Sequence, residues 1–359
     1  KGLGMVNNAP VSCGILYAKA TDLSMPADDL VVDGTNVTDV TATAGPRFDA
    51  DLSGLAEDEV YYVRAYAVNE AGTVSYGDPV PFATRYDYYG SNNGKSRHAF
   101  SVASGTSVRF SMGNLQYQGS TSTWRFADNQ FDYVGDASNG LVYEGGTKCN
   151  NGSIAQNYAG WIDLFGWGTS GINDYTPIAT CYQPWSTSQT NSDYYAYGSY
   201  TNNLNSSSGK ADWGYNAISN GGNQSGDVSG RIAWRTLQGY AVGDNTAEWN
   251  YLLTERSTTS NCRYAKAQLY VHGTSSQGVS TVQGENACGT PVNGMIVFPD
   301  DFSFPTEFGG SLTTDQTGTN YTGNPLTESQ WSLLEKAGAV FLPAAGFRYG
   351  TSVGLADSY

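Results

Sequence analysis

The run Val60-Tyr61-Tyr62-Val63-Arg64-Ala65-Tyr66-Ala67-Val68 decides how the N-terminal part of the chain is read. Side chains alternate along a strand, so Tyr61, Val63, Ala65 and Ala67 share one face while Tyr62, Arg64 and Tyr66 share the other. This predicts a half-buried strand of a β-sandwich. Working outward, Cys13-Gly14-Ile15-Leu16-Tyr17 and Phe48-Asp49-Ala50-Asp51-Leu52 are further short strands, and residues 1–84 show no helical period. Residues 85–96, from Arg85-Tyr86-Asp87 through Asn92-Asn93-Gly94 to Ser96, are turn formers and polar residues without periodicity and are expected to be a linker.

The chain has 359 residues, which at roughly 150 residues per domain suggests two domains. With 44 glycines, 26 tyrosines and only 14% charged residues, it lacks the Ala/Glu/Lys/Leu stock of helix bundles, and a strand-and-loop protein is expected. Eighteen basic against 33 acidic residues leave a formal charge of -15, which repels a phosphate backbone and an anionic bilayer. Nucleic acid is therefore excluded as a partner. No stretch approaches the ~18 consecutive apolar residues of a membrane span, so no membrane insertion is expected within this chain. The five cysteines, Cys13, Cys149, Cys181, Cys262 and Cys288, contain no CxxC pair and are odd in number. They fit neither a zinc knuckle nor a dense disulfide framework, and buried or half-buried free thiols are expected, with one bridge in the second half as the alternative. Only His98 and His272 accompany them, so no metal and no cofactor is expected.

Beyond the linker, Phe100 and Val102, Val108 and Phe110, Leu115 and Tyr117, and Trp124 and Phe126 each alternate with polar residues, with Gly119-Ser120-Thr121-Ser122 as a hairpin. From Tyr133 to Asn223 the pattern dissolves into Gly, Asn, Ser and Tyr, with apolar anchors in Trp161-Ile162-Asp163-Leu164-Phe165-Gly166-Trp167. So long a loop-rich region, carrying so many aromatics, is expected to be packed. The sequons at Asn151, Asn205 and Asn320 are what chance supplies in an Asn-rich chain. Two helices stand out: Asn245-Thr246-Ala247-Glu248-Trp249 to Leu253, and Thr327-Glu328-Ser329-Gln330-Trp331 to Gly338. Both open with a capping box. The apolar runs 294–299 and 339–343, each ending at a proline, read as buried strands. The expected class is mainly β with two short helices (α+β).

The six-residue spacing from Leu55 to Tyr61, the Asn69-Glu70-Ala71-Gly72-Thr73 turn and the Pro81-Phe82-Ala83-Thr84 exit resemble a fibronectin type III domain, whose tyrosine corner hydrogen-bonds back across a turn. Residues 1–84 are read as such a β-sandwich, clipped upstream of Pro10. A second resemblance rests on an ordered string: Trp234-Arg235-Thr236-Leu237, Ala247-Glu248-Trp249, Arg263-Tyr264-Ala265-Lys266-Ala267, the strand from Gly294 to Asp301, and Phe341-Leu342-Pro343-Ala344-Ala345-Gly346-Phe347-Arg348-Tyr349-Gly350. It is similar to the C-type lectin-like fold shared by formylglycine-generating enzymes, targets of diversity-generating retroelements and surface proteins of Bacteroidales. The resemblance covers residues 97–359 and implies a domain incomplete at its C-terminus, because relatives continue with further strands that carry the ligand face.

This fold hosts both enzymes and binders, so the residues must choose. The enzymes of this type use a pair of cysteines near the C-terminal end, and residues 289–359 hold none. Calcium-dependent sugar binding in lectins of this fold resembles a Glu-Pro-Asn loop followed by Trp-Asn-Asp, which Gln183-Pro184-Trp185 and Ile172-Asn173-Asp174 do not match. Asp300-Asp301 reads as a solvated turn or cap. The Tyr/Asn/Ser/Gly-rich loops have the composition of recognition surfaces. They nominate Tyr194, Tyr195 and Tyr197 as ligand-binding residues, with Arg348, Tyr349 and Tyr359 near the C-terminus; Trp161, Trp167, Trp185 and Trp213 are weighed between sugar stacking and packing. The expectation is a non-enzymatic extracellular or cell-surface adhesion protein that recognises a glycan or protein, with homo-oligomerisation or an assembly partner completing the C-terminal sheet. The alternatives are a fibre or decoration protein of a bacteriophage virion and, last, a formylglycine-generating-type enzyme.

Overall fold

A computed structural model describes residues 10–44, 48–86, 94–121, 123–135, 142–143, 147–148, 151, 157–164, 170–173, 176–182, 251–255, 263–271, 291–314, 320–349 and 352–354. It is mainly β with few helices, and it divides into two compact units. The first comprises residues 1–93, 303–311 and 327–339; the second comprises 94–302, 312–326 and 340–359.

In the first unit, β1 (Ser12–Lys19), β2 (Thr38–Ala42), β3 (Val60–Val68), β4 (Val74–Tyr76) and β5 (Val80–Ala83) form one sheet. All pairings are antiparallel. One edge of β3 runs the length of β1, and its other edge is shared by β4 at Tyr66–Val68 and β5 at Val60–Val63. The second layer that a sandwich requires is not among the described strands. The alternation in β3 also buries more than one face: Tyr61 is 4% exposed on one side, and Tyr66, 6% exposed, joins Leu16, Ala18 and Leu30 in a core cluster on the other. Arg64 shares the Tyr66 face and is held in place, its Nη1 donating to Ala27 O at 2.6 Å and its Nε to Gly77 O at 2.7 Å. The bond to Ala27 anchors the short helix α1 (Pro26–Asp29).

Tyr61 Oη accepts the Ala56 N–H at 2.9 Å, closing the turn before its own strand, while its ring stacks on Phe82 at 5.9 Å. Tyr61→Phe keeps the stack and removes the acceptor. The expected result is a loss of about 1 kcal/mol, read as a lower urea midpoint for this unit.

Helix α2 (Glu328–Lys336) belongs to the first unit and packs against β5. Its start is chemically complete: Thr327 Oγ1 accepts from Gln330 N, and the Gln330 side chain accepts from Thr327 N. Gly338, at φ 93°, follows its C-terminal end, where an L side chain would be strained. Ser332 Oγ accepts the Ala83 N–H at 2.9 Å, Glu335 pairs with Arg85, and Lys336 pairs with Asp58.

The second unit carries the hairpins β6 (Phe100–Ala103)/β7 (Thr106–Val108), β10 (Val142–Tyr143)/β11 (Thr147–Lys148), β13 (Ser170–Asn173)/β14 (Thr176–Tyr182) and β19 (Phe347–Tyr349)/β20 (Ser352–Gly354). Strands β8 (Leu115–Gln118), β9 (Thr123–Phe126) and β12 (Trp161–Ile162) form a three-stranded sheet in the order β12-β8-β9. A four-stranded sheet runs β17-β15-β16-β18, from β15 (Tyr264–Tyr270), β16 (Val292–Val297), β17 (Pro325–Thr327) and β18 (Val340–Pro343). The two apolar runs are buried strands, as their composition predicts: Ile296 and Val297 have no exposed surface, and Phe341 is 1% exposed.

Val297 and Val340 pack with Phe100, Val102 and Leu252. Leu252 sits in a π-helical turn, Tyr251–Glu255. The wider hydrogen-bond loop there replaces the α-helical spacing expected of this segment, and residues 245–250 with its capping box lie outside the described residues. Beside β18, the buried Gln130 accepts the Phe341 N–H at 2.7 Å, supplying from a side chain a partner that strand pairing would otherwise provide. Asn324 similarly ties β15 to a loop, donating to Lys266 O and Thr313 O while accepting from Thr313 N.

Candidate ligand-binding site

The three-stranded sheet of the second unit has one apolar and one polar face. Ile162, Tyr117 and Trp124 lie opposite one another across the strands and form an apolar cluster. Pairing of Trp161 with Gln118, Gln118 with Thr123, and Gln116 with Arg125 places these five side chains on the other face. A strand face of this make-up normally meets water, yet Gln116 has no exposed surface and Gln118 and Trp161 are each 7% exposed. Thr123 and Arg125 are the exposed members.

The Arg125 guanidinium lies 3.9 Å from the centroid of the Trp161 ring. Contacts of that kind add about 0.5–2 kcal/mol and, more usefully here, fix the plane of the cation. Its Nε donates to Gln116 Oε1 at 2.8 Å. The Gln116 amide is orientated by that bond, since a flipped amide would set two donors face to face. Gln118 supports the neighbouring position, donating to Ala159 O at 2.6 Å and accepting from Thr121 Oγ1 at 2.6 Å. The result is a pre-positioned guanidinium whose two terminal amino groups have no partner among the described residues. Such a fork suits planar oxyanions and polar ligands.

Trp161 therefore does not offer an open ring for sugar stacking, because its face carries the cation. Tyr194, Tyr195, Tyr197 and Tyr359, with Trp167, Trp185 and Trp213, lie outside the described residues. Arg348 and Tyr349 are placed on β19, paired with Val353 and Ser352 of β20. The sequons at Asn151 and Asn320 separate clearly. Asn151 is fully buried with its amide bonded on both sides, so it is closed to modification, whereas Asn320 is exposed.

Other polar groups have structural duties. Asp300 accepts from Ser101 N and Oγ, and Asp301 meets His98 Nδ1 at 3.2 Å, so the pair pins β6 and the segment before it. Asp163 accepts from Val134 N at 2.7 Å and Asn151 Nδ2 at 2.9 Å. Burial pushes its carboxyl up to about 6, against the pull of the Asn151 and backbone hydrogen bonds. In the first unit, a cleft of about 20 Å³ beside Arg85, Ser332 and Lys336 has room for a water and no larger ligand. Cys13 is a free, buried thiol whose Sγ lies 3.6 Å from Thr43 O. Cys149, Cys262 and Cys288 fall outside the described residues. Among the described residues, no group of three or more His, Cys, Asp or Glu gathers in a metal-holding arrangement.

No family model, curated protein or solved structure matches the chain. Reading Gln116 and Arg125 from the sequence would have required knowing that the polar face of Leu115-Gln116-Tyr117-Gln118 is covered; the one available signal was the pairing of two glutamines with a strand already carrying Arg and Trp.

Proposed function

We propose that the chain is a non-enzymatic, extracellular ligand-binding or adhesion protein, in which a fibronectin type III-like domain accompanies a C-type lectin-like domain that recognises a glycan or protein. The observation that carries the binding role is the Arg125 guanidinium, stacked on Trp161, tethered by Gln116 and exposed, with its terminal donors unused among the described residues. A cation that served stability alone would be expected to spend those donors within the protein, as Arg64 does in the first unit. Orientation by two buried neighbours removes much of the entropy that a free arginine loses when it captures a ligand. No helix among the described residues is long and apolar enough to cross a membrane.

The reading is tested by retention on immobilised polysaccharides and extracellular-matrix proteins. Wild-type protein is expected to be retained by at least one class, and Arg125→Ala to weaken that retention by about tenfold or more while leaving the circular dichroism spectrum unchanged. Equal retention of the variant would remove Arg125 from the site; no retention of the wild type on any surface would overturn the binding role.

A further inference from the structure

We infer that the Arg125 site takes the carboxylate of an acidic sugar, a uronate residue in a polysaccharide. The inference rests on the proposed binding role and narrows its ligand. Donors and acceptors at the site do not balance. Arg125 Nε and Gln116 Oε1 satisfy each other at 2.8 Å. What remains toward solvent is donors only: the two terminal amino groups of the guanidinium, which have no partner among the described residues. A group rich in acceptors and without donors fits this remainder, and an ionised carboxylate is such a group.

Trp161 covers one face of the guanidinium and Gln116 occupies its Nε edge, which leaves the end bearing both terminal amino groups. Two parallel donors in one plane match the two oxygens of a planar carboxylate. The chain's net charge of -15 repels a densely charged phosphate or sulfate polymer most strongly, and a short oligomer with one carboxylate per sugar meets less repulsion.

The source of the carboxylate follows from the surroundings. Protein interfaces bury an apolar centre. The exposed large apolar side chains among the described residues are Val11, Met25 and Val80, and all three belong to the first unit. On the β8–β9 hairpin that carries Arg125, Thr121 and Thr123 are exposed, and their hydroxyls, which donate to Gln118 Oε1 and Thr121 O, keep acceptor lone pairs for a sugar hydroxyl.

The test uses the whole chain and three probes: oligogalacturonate and oligoalginate, the same oligomers with their carboxyls methyl-esterified, and poly-glutamate, each titrated by calorimetry in low and moderate salt. The expected result is binding of at least one uronate oligomer, weakened about tenfold or more by esterification and by Arg125→Ala, and by several-fold in Arg125→Lys, which keeps the charge but loses the fork. Equal binding of acid and ester, or an unaffected Arg125→Ala, overturns the assignment. Tighter binding of poly-glutamate than of either uronate transfers the site to an acidic protein and overturns the sugar. If no uronate binds while neutral glycans or matrix proteins are retained, this inference falls and the broader binding role stands.

Discussion

Gly294→Ala is expected to destabilise the second unit by about 3 kcal/mol, a large loss for one methyl group. Gly294 lies within β16 and faces Pro343 of β18 across the ladder. A Cβ built there would sit 2.4 Å from two ring atoms of Phe341 and 2.7 Å from the Leu342 carbonyl oxygen. The ring has little room to yield, since Phe341 is 1% exposed, and the carbonyl is held by the strand pairing on both sides of it. Close-packed interiors respond to added volume by forcing side chains off their rotamers or shifting backbone. Gly310→Ala is the control: nothing lies within 4 Å of its built Cβ, and its effect should stay within about 0.5 kcal/mol. Thermal and urea unfolding of the two variants beside the wild type check the contrast. Equal midpoints for Gly294→Ala and the wild type would show that Phe341 can repack.

Asp163→Ala is expected to cost a comparable amount, about 2–5 kcal/mol, by a different route. Removing the carboxyl leaves the Val134 N–H and the Asn151 Nδ2 without the acceptor they share. The loss spreads, because Asn151 also accepts from Asp163 N and Leu164 N and donates to Gly135 O. The same carboxyl has a pH signature. Burial raises its folded-state pKa from 3.8 to about 6, so between these values the folded state holds a proton that the unfolded state has lost. Stability from this group therefore falls as pH rises through that window, is fully present below about 3.8 and is lost above about 6, a swing of about 3 kcal/mol. The other acidic residues also relax on acidification, so the informative quantity is the difference between wild type and Asp163→Ala measured at each pH. That difference should grow as pH is lowered from 7 to 4; a flat difference would place the Asp163 ionisation outside the window.

What was legible in the sequence follows the range over which each determinant acts. The start of α2 needs only Thr327 and Gln330, three residues apart, and the capping box formed as read. The runs ending at Pro299 and Pro343 needed only continuous apolarity to be placed as buried strands. In β3 the period gave the strand, but the burial of Tyr66 depends on Leu16 and Leu30 arriving from elsewhere in the chain, which the alternation cannot report. The site was less legible still. Arg125 and Gln116 are unremarkable residues on a polar strand face until Trp161 is brought alongside by pairing with β8. Asp163 was a polar interruption in an aromatic run, and its partners come from 12 and 29 residues away.

The segmented composition of the first unit bears on how the protein is made. Its sheet is complete by Ala83, but the segments 303–311 and 327–339 that finish the unit are separated from it by more than 200 residues of the second. A ribosome adding about 5–20 residues per second thus exposes the sheet for tens of seconds before α2 emerges. During that interval β5 lacks the helix that packs on it, and the Ala83 N–H lacks the Ser332 hydroxyl. The first unit begins to form early and closes late, so the vulnerable interval in the life of this chain lies in its synthesis.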